Sequence, residues 1–175
     1  VIALIKNERL AEDEFVYVPE GEAVPEQAAV IVHLDTWRAR RDDLLRRDLP
    51  VGVRLKSDQS PELIAEDLEG LAVVALEFPA FRDGRAYSYA RILRERYGYT
   101  GEVRAVGDVL MEQIHFMLRT GFDAFEIDAD DPLADFRAAV EDFSVWYQPT
   151  GDGRPTARQL RVKKQSALPG AKIRG

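Results

Sequence analysis

VGVRLKSDQSPELIAEDLEGLAVVALEF, residues 51–78, decides the class of fold. Its two ends, VGVRL and LAVVALEF, are short β-rich runs, apolar at nearly every position, as strands of a parallel sheet covered on both faces are. Between them Ser60 precedes Pro61, an N-cap followed by proline at the first helical position. Ile64, Leu68 and Leu71 follow at core-facing spacing, and Gly70 supplies the stop. A strand, a helix and a second strand in so short a span predict a βαβ unit with parallel strands.

The same rhythm extends in both directions. AVIVHL at 29–34, EVRAV at 102–106 and AFEI at 124–127 are three further short β-rich runs, each followed by a helical segment. Trp37, Leu44 and Leu45 mark a face after Asp35-Thr36, and Ala86, Ala90, Leu93 and Tyr97 form a stripe after Gly84. Leu110, Ile114 and Met117 form another that ends near Gly121. After Asp131-Pro132, the residues Leu133, Phe136, Val140, Phe143 and Tyr147 recur at steps of three and four. Five strands alternating with five helices predict an α/β fold of five βα units with a mainly parallel sheet. Every unit is brief and no long crossover marks a reversal of strand order. We therefore expect a partial (βα)-barrel-like arc, with an open doubly wound sheet as the alternative. Ahead of it, Leu4-Ile5 and Phe15–Val18 suggest an N-terminal β-hairpin within residues 1–20.

The chain has 175 residues, 46% hydrophobic and 31% charged, enough for one domain with a substantial core. That domain is expected over residues 1–150, followed by a basic tail over 151–175. The tail holds seven Lys/Arg and one Asp, so the net charge of −7 divides into +6 for the tail and −13 for the body. Such an acidic body, together with a tail that has no aromatic residue to stack on bases, argues against nucleic acid as a partner. The absence of cysteine excludes disulfides, thiolate nucleophiles and sulfur-held zinc or iron–sulfur clusters within the chain. No apolar run approaches the roughly 20 residues that span a bilayer, and the N-terminus lacks a signal-peptide pattern, so a cytoplasmic location without membrane contact is expected. No cofactor is identified. Neither GxGxxG nor GxxxxGK[ST] occurs, which argues against a dinucleotide bound in the usual way, and no HxH or HExxH spacing points to a metal.

Chemistry concentrates at the strands. Arg54, Glu77, Arg104 and Glu126 each place a charge where a buried parallel strand normally shows only aliphatics, and the first run has His33. Their signs alternate in chain order, so strands that are neighbours in that order would set each charge beside an opposite one. Buried unpaired, such ions would cost several kcal/mol each. One reading is a structural ion-pair network. The other is a polar cleft at the strand carboxyl ends, where α/β proteins bind ligands. In that cleft Arg54, Lys56 and Arg82 would hold an anion, with Arg85, Ser88 and Arg104 as further anion-binding candidates. Glu77 or Glu126 would act as a base, and His33 as a general base paired with Asp35. A lone strand histidine is also often just hydrogen-bonded in the core. The exposed edges and concave face of an arc further predict self-association.

Three segments carry a family resemblance: VGVRLKSDQSPE at 51–62, FRDGRAYSYARILRERYGYTGEVRAVGDVL at 81–110 and GFDAFEI at 121–127. Together they resemble the bacterial domain of unknown function family 934, over nearly everything up to about residue 148. The resemblance implies a gene beside the haemoprotein subunit of assimilatory sulfite reductase, that subunit as a partner, and a role in sulfite reduction, often labelled as oxidoreductase. It carries no catalytic residues across. From it we expect an accessory protein that supports the reductase by docking or assembly. The strand charges suggest the alternative of a small enzyme acting on an anionic sulfur- or phosphorus-containing compound.

Overall fold

A computed structural model describes residues 2–80, 82–141, 157 and 159–160. Its strands are β1 (Ile2–Lys6), β2 (Arg9–Ala11), β3 (Phe15–Val18), β4 (Ala29–His33), β5 (Val51–Leu55), β6 (Val73–Phe78), β7 (Glu102–Gly107) and β8 (Ala124–Asp128). They form one sheet in the order β2-β1-β8-β7-β6-β5-β4-β3. From β3 to β8 each strand lies parallel beside the next one in the chain. Strand order never reverses among them, as it must in a doubly wound sheet, and the sheet curls into a half-barrel arc.

The N-terminal hairpin is present, but its second strand is not the one expected. Residues Asn7 and Glu8, with φ of 50° and 63°, make a two-residue turn that folds β2 onto β1. Two positive φ angles are the signature of the turn whose twist suits a hairpin. The run KNER lacks the glycine that usually announces it. β1 then pairs antiparallel with β8, while Phe15–Val18 crosses to the far edge and pairs parallel with β4. The parallel set therefore has six strands rather than five.

Helices cover one side of the arc. They are α1 (Leu34–Leu45), α2 (Arg85–Arg91) continued by a π-helical turn over Ile92–Arg96, α3 (Ile114–Thr120) and α4 (Pro132–Glu141). The segment after Ser60 is a ten-residue 3₁₀ helix, Pro61–Gly70, where an α-helix was expected. At about 2.0 Å rise per residue against about 1.5 Å for an α-helix, it reaches further with the same residues along the returning strand. Its start is as expected, with Ser60 Oγ accepting from the Glu62 N–H at 3.3 Å. Ile64, Leu68 and Leu71 are buried, as are Trp37, Leu44, Ala86, Ala90, Leu93, Ile114, Met117 and Phe136. Leu45, placed on the buried face of α1 by its spacing, is instead 38% exposed. Phe143, Tyr147 and the basic tail expected over 151–175 lie outside the described residues, apart from 157 and 159–160.

Strand alternation divides the core in two. Val32, Val53, Leu55, Val74, Leu76, Val103, Ala105, Phe125 and Ile127 face the helices in the main cluster. Ile31, Val73, Ala75 and Val106, with Phe15 against them, form a smaller cluster on the concave face. All the strand charges share this second face. Among the described residues no helix is long and apolar enough to cross a membrane.

Candidate functional site

Register explains how the charges meet. His33 lies opposite Arg54, Arg54 opposite Ala75, Ala75 opposite Arg104, and Arg104 opposite Ala124. The small Ala75 thus separates the two guanidinium groups, and each takes a partner diagonally. Arg54 Nε donates to Glu77 Oε2 at 3.1 Å, and Arg104 Nη1 donates to Glu126 Oε1 at 3.2 Å. The alternation of sign along the chain becomes two ion pairs, which belong to two different clusters.

The first cluster sits at the carboxyl ends of β3–β6. Its centre is His33, 7% exposed, which is both the last residue of β4 and the N-cap of α1. Nε2 of His33 is hydrogen-bonded to the Tyr17 hydroxyl, while Nδ1 is buried without a hydrogen-bond partner. The carboxylate near that nitrogen is Glu20, with Oε1 3.7 Å away, and not the Asp35 expected from sequence. Lys56 Nζ donates to the same Glu20 oxygen at 2.6 Å. Arg54 stacks over the Tyr17 ring at 4.9 Å from its centroid. Among the described residues the bond to Glu77 is its one hydrogen bond, so its terminal nitrogens are open to a ligand.

Electrostatics follow from this placement. Burial pushes the His33 pKa down; Glu20 opposes this, Arg54 and Lys56 add to it, and Glu77 opposes it. The ring is therefore neutral at neutral pH. The hydrogen bond from Lys56 holds the Glu20 carboxyl below its ordinary range, and the same bond raises Lys56. Below about pH 6.5 the unfolded chain takes up the proton that folded His33 resists. The stability this contributes is present above that pH and is lost as pH falls from the unfolded value towards the lower folded one. We expect the denaturation midpoint to drop between pH 7 and pH 5, and His33→Gln to flatten the drop. His115, also lowered by burial, acts in the same direction, whereas Asp123, raised by burial, acts against it. An unchanged slope in His33→Gln would contradict the assignment.

Helix α2 braces this cluster from behind. Tyr89 Oη donates to the Ser57 carbonyl at 3.1 Å, and Arg85 Nη2 donates to Ser57 Oγ at 3.0 Å. Arg85 is itself held by Asp83 at 2.6 Å, and that bond keeps the Asp83 carboxyl far below its ordinary range. The loop carrying Lys56 closes on itself, its Lys56 N–H donating to Gln59 Oε1 and the Gln59 N–H to the Lys56 carbonyl, both at 2.9 Å. Arg82 is exposed and, among the described residues, makes no hydrogen bond to the cluster. Ser88 is exposed on the outer side of α2 with Arg91, Ile92, Glu95 and Arg96, away from the strand ends.

The second cluster surrounds Arg104, which is 1% exposed. Its Nε donates to Glu102 at 2.7 Å, Nη1 to Asp13 at 2.7 Å and Nη2 to Asp13 at 3.1 Å, in addition to the Glu126 bond. Lys6 pairs with Glu102 at 2.7 Å from the other side. Burial acts to lower the Arg104 pKa, and the Asp13 and Glu102 carboxylates more than reverse it, leaving it raised and the group charged. A cavity of about 410 Å³ opens beside this cluster. With its donors engaged, Arg104 fastens Asp13, and so the segment crossing from β2 to β3, onto the concave face.

The strand ends thus unite His33, Arg54, Lys56 and Glu77, while Arg104 and Glu126 form a separate brace. Sequence reasoning missed Tyr17 and Glu20. It assigned Phe15–Val18 to the hairpin, but the alternation in FVYV, read as a parallel edge strand, sets Phe15 and Tyr17 on the concave face beside β4. Among the described residues no group of three or more His, Cys, Asp or Glu is arranged to hold a metal ion.

Residues 52–157, more than half of the chain, match the model of DUF934, described as a bacterial protein of unknown function. No match was found among curated proteins.

Proposed function

We propose a function for a chain that belongs to the bacterial DUF934 family: it binds and acts on a small anionic sulfur or phosphorus oxo-compound at the carboxyl ends of β4–β6. The observation that carries this reading is the convergence of a buried, unsatisfied His33 Nδ1 with two cations, Arg54 and Lys56. Arg54 and Lys56 supply charge-assisted hydrogen bonds to the anion's oxygens. His33, neutral and held by Tyr17, is the group suited to move a proton, and Glu77 keeps Arg54 in place. Sulfite, sulfate and phosphate are the probes. In a titration of the full chain, each bound anion should shift the His33 ring resonances, and Lys56→Met should weaken binding roughly 10-fold or more. Anion binding that leaves His33 unmoved and survives Lys56→Met would rule the site out.

The second reading is an accessory role in assimilatory sulfite reduction, supporting the reductase by docking or assembly. It rests on the family resemblance and on the outer face of α2, where Ser88, Arg91 and Arg96 are exposed around a shallow depression. The readings are compatible, since sulfite belongs to the first one's ligand class. A pull-down from sulfate-grown cells that never recovers the haemoprotein subunit counts against the second alone.

A further inference from the structure

Glu20 stands where a ligand would. It lies in the loop after β3, its side chain 46% exposed, and one carboxylate oxygen rests between Lys56 Nζ at 2.6 Å and His33 Nδ1 at 3.7 Å. The first distance is a full charge-assisted hydrogen bond and the second is too long for one. The imidazole therefore has a buried nitrogen facing a carboxylate that does not quite reach it.

The neighbours decide which proton that nitrogen carries. Nε2 is engaged by the Tyr17 hydroxyl, a group able to donate or accept. Nδ1 faces a carboxylate, which can only accept. A bare Nδ1 lone pair against Glu20 would be repulsive, so the favoured tautomer has Tyr17 donating to Nε2 and the proton on Nδ1. Nδ1–H is then a buried donor without an acceptor, beside the ammonium of Lys56 and the free end of Arg54. Such a donor calls for an oxyanion rather than a cation or a neutral apolar group. The charges facing this space are Glu20, Arg54, Lys56 and Glu77, with Asp35 within electrostatic reach of Lys56. Removing Glu20 from the space turns its balance towards the cations.

The loop is built to let it leave. Residues 19–23 are exposed, the Glu22 N–H closes a short turn on the Pro19 carbonyl at 3.2 Å, and Gly21 takes φ of 81°. Beyond the Lys56 bond and the long approach to His33, no hydrogen bond of the Glu20 side chain occurs among the described residues.

We propose that the Glu20 carboxylate is an internal stand-in for the ligand, holding the oxyanion seat between Lys56 Nζ and His33 Nδ1–H until an external oxyanion displaces it. This rests on the anion-binding reading above and specifies the seat: one oxygen of the ligand takes the position of Glu20 Oε1 and moves closer to Nδ1 than the carboxylate does. No covalent bond is made or broken: the Lys56–Glu20 hydrogen bond is exchanged for one from Lys56 to the anion, and Glu20 swings into solvent as the anion enters.

The test is a comparison of sulfate, sulfite and phosphate affinities at constant ionic strength and pH 7 in the wild-type chain, Glu20→Ala and Glu20→Gln. Glu22→Ala, from the same exposed loop, is the control that makes an equal change in net charge. Thermal melts establish that each variant is folded. Both Glu20 variants should bind the anions about 10-fold more tightly than wild type, and Glu22→Ala should not. The His33 Nδ1–H signal should move on binding, and Lys56→Met in the Glu20→Ala background should abolish the gain. Wild-type binding at His33 that is unchanged or weakened in the Glu20 variants overturns the stand-in while leaving the site intact. An equal gain in Glu22→Ala also overturns it, since the effect is then bulk charge. No anion binding in any variant overturns both the stand-in and the site.

Discussion

Replacing Arg104 by alanine should cost the fold about 3–5 kcal/mol, the usual price of breaking a buried ion pair from one side. Arg104 is 1% exposed and its Glu102 partner is 4% exposed in its side chain, so removing the guanidinium takes one of two counter-charges from a buried carboxylate and empties a packed position. Lys6 would remain on Glu102 at 2.7 Å, but Asp13 and Glu126 would lose their shared donor. Arg104→Lys should fall between, because a single ammonium cannot serve three carboxylates in a fork geometry. The double variant Arg104→Met, Glu102→Gln should recover part of the loss, since Met refills much of the guanidinium's space and Gln removes the buried carboxylate charge. Urea unfolding measures all three, and a loss below about 1 kcal/mol for Arg104→Ala would mean that the cluster is solvated rather than structural. The consequences reach the candidate site through the chain. Asp13 leads directly into β3, which presents Tyr17 to His33, and then into the loop that carries Glu20. Loosening the Arg104 cluster should therefore weaken anion binding indirectly.

Much of this arrangement is legible in the sequence. Short β-rich runs separated by single helices sufficed for a parallel sheet and favoured the arc, but the open doubly wound alternative is built from units just as brief, so strand order in space decides between them. The alternating signs of Arg54, Glu77, Arg104 and Glu126 foretold two of their pairings, Arg54 with Glu77 and Arg104 with Glu126, but not that the register sets Glu77 apart from Arg104. Three things were hidden for physical reasons. The Asn7–Glu8 turn uses two non-glycine residues at positive φ, which composition does not announce. The Ser60-Pro61 start suits a 3₁₀ and an α winding equally, so it does not announce which of them Pro61–Gly70 takes. Glu20 lies in a loop with no periodic pattern, so only the position of Lys56 and His33 in space gives its carboxylate a meaning.

Arg54 separates the two meanings of the strand charges, and Arg54→Gln should do so with opposite outcomes for stability and binding. Unlike Arg104, Arg54 and Glu77 keep 19% and 24% of their side chains exposed. A pair this close to solvent contributes about 1 kcal/mol or less, because water replaces much of what either partner loses. The anion, in contrast, depends on the terminal nitrogens that Glu77 leaves unused, and a hydrogen bond to a charged group is worth about 1.5–3 kcal/mol. Arg54→Gln should therefore remain folded with a nearly unchanged urea midpoint while losing roughly 10- to 100-fold in sulfate or sulfite affinity. Glu77→Gln provides the complementary arm: its amide oxygen can still accept from Arg54 Nε and hold the side chain, while the negative charge that repels the anion is gone, so binding should be tighter, not weaker. The opposite pattern, a loss of about 3 kcal/mol in stability with anion affinity intact, would place Arg54 with Arg104 as a brace of the arc and leave Lys56 and His33 alone at the seat.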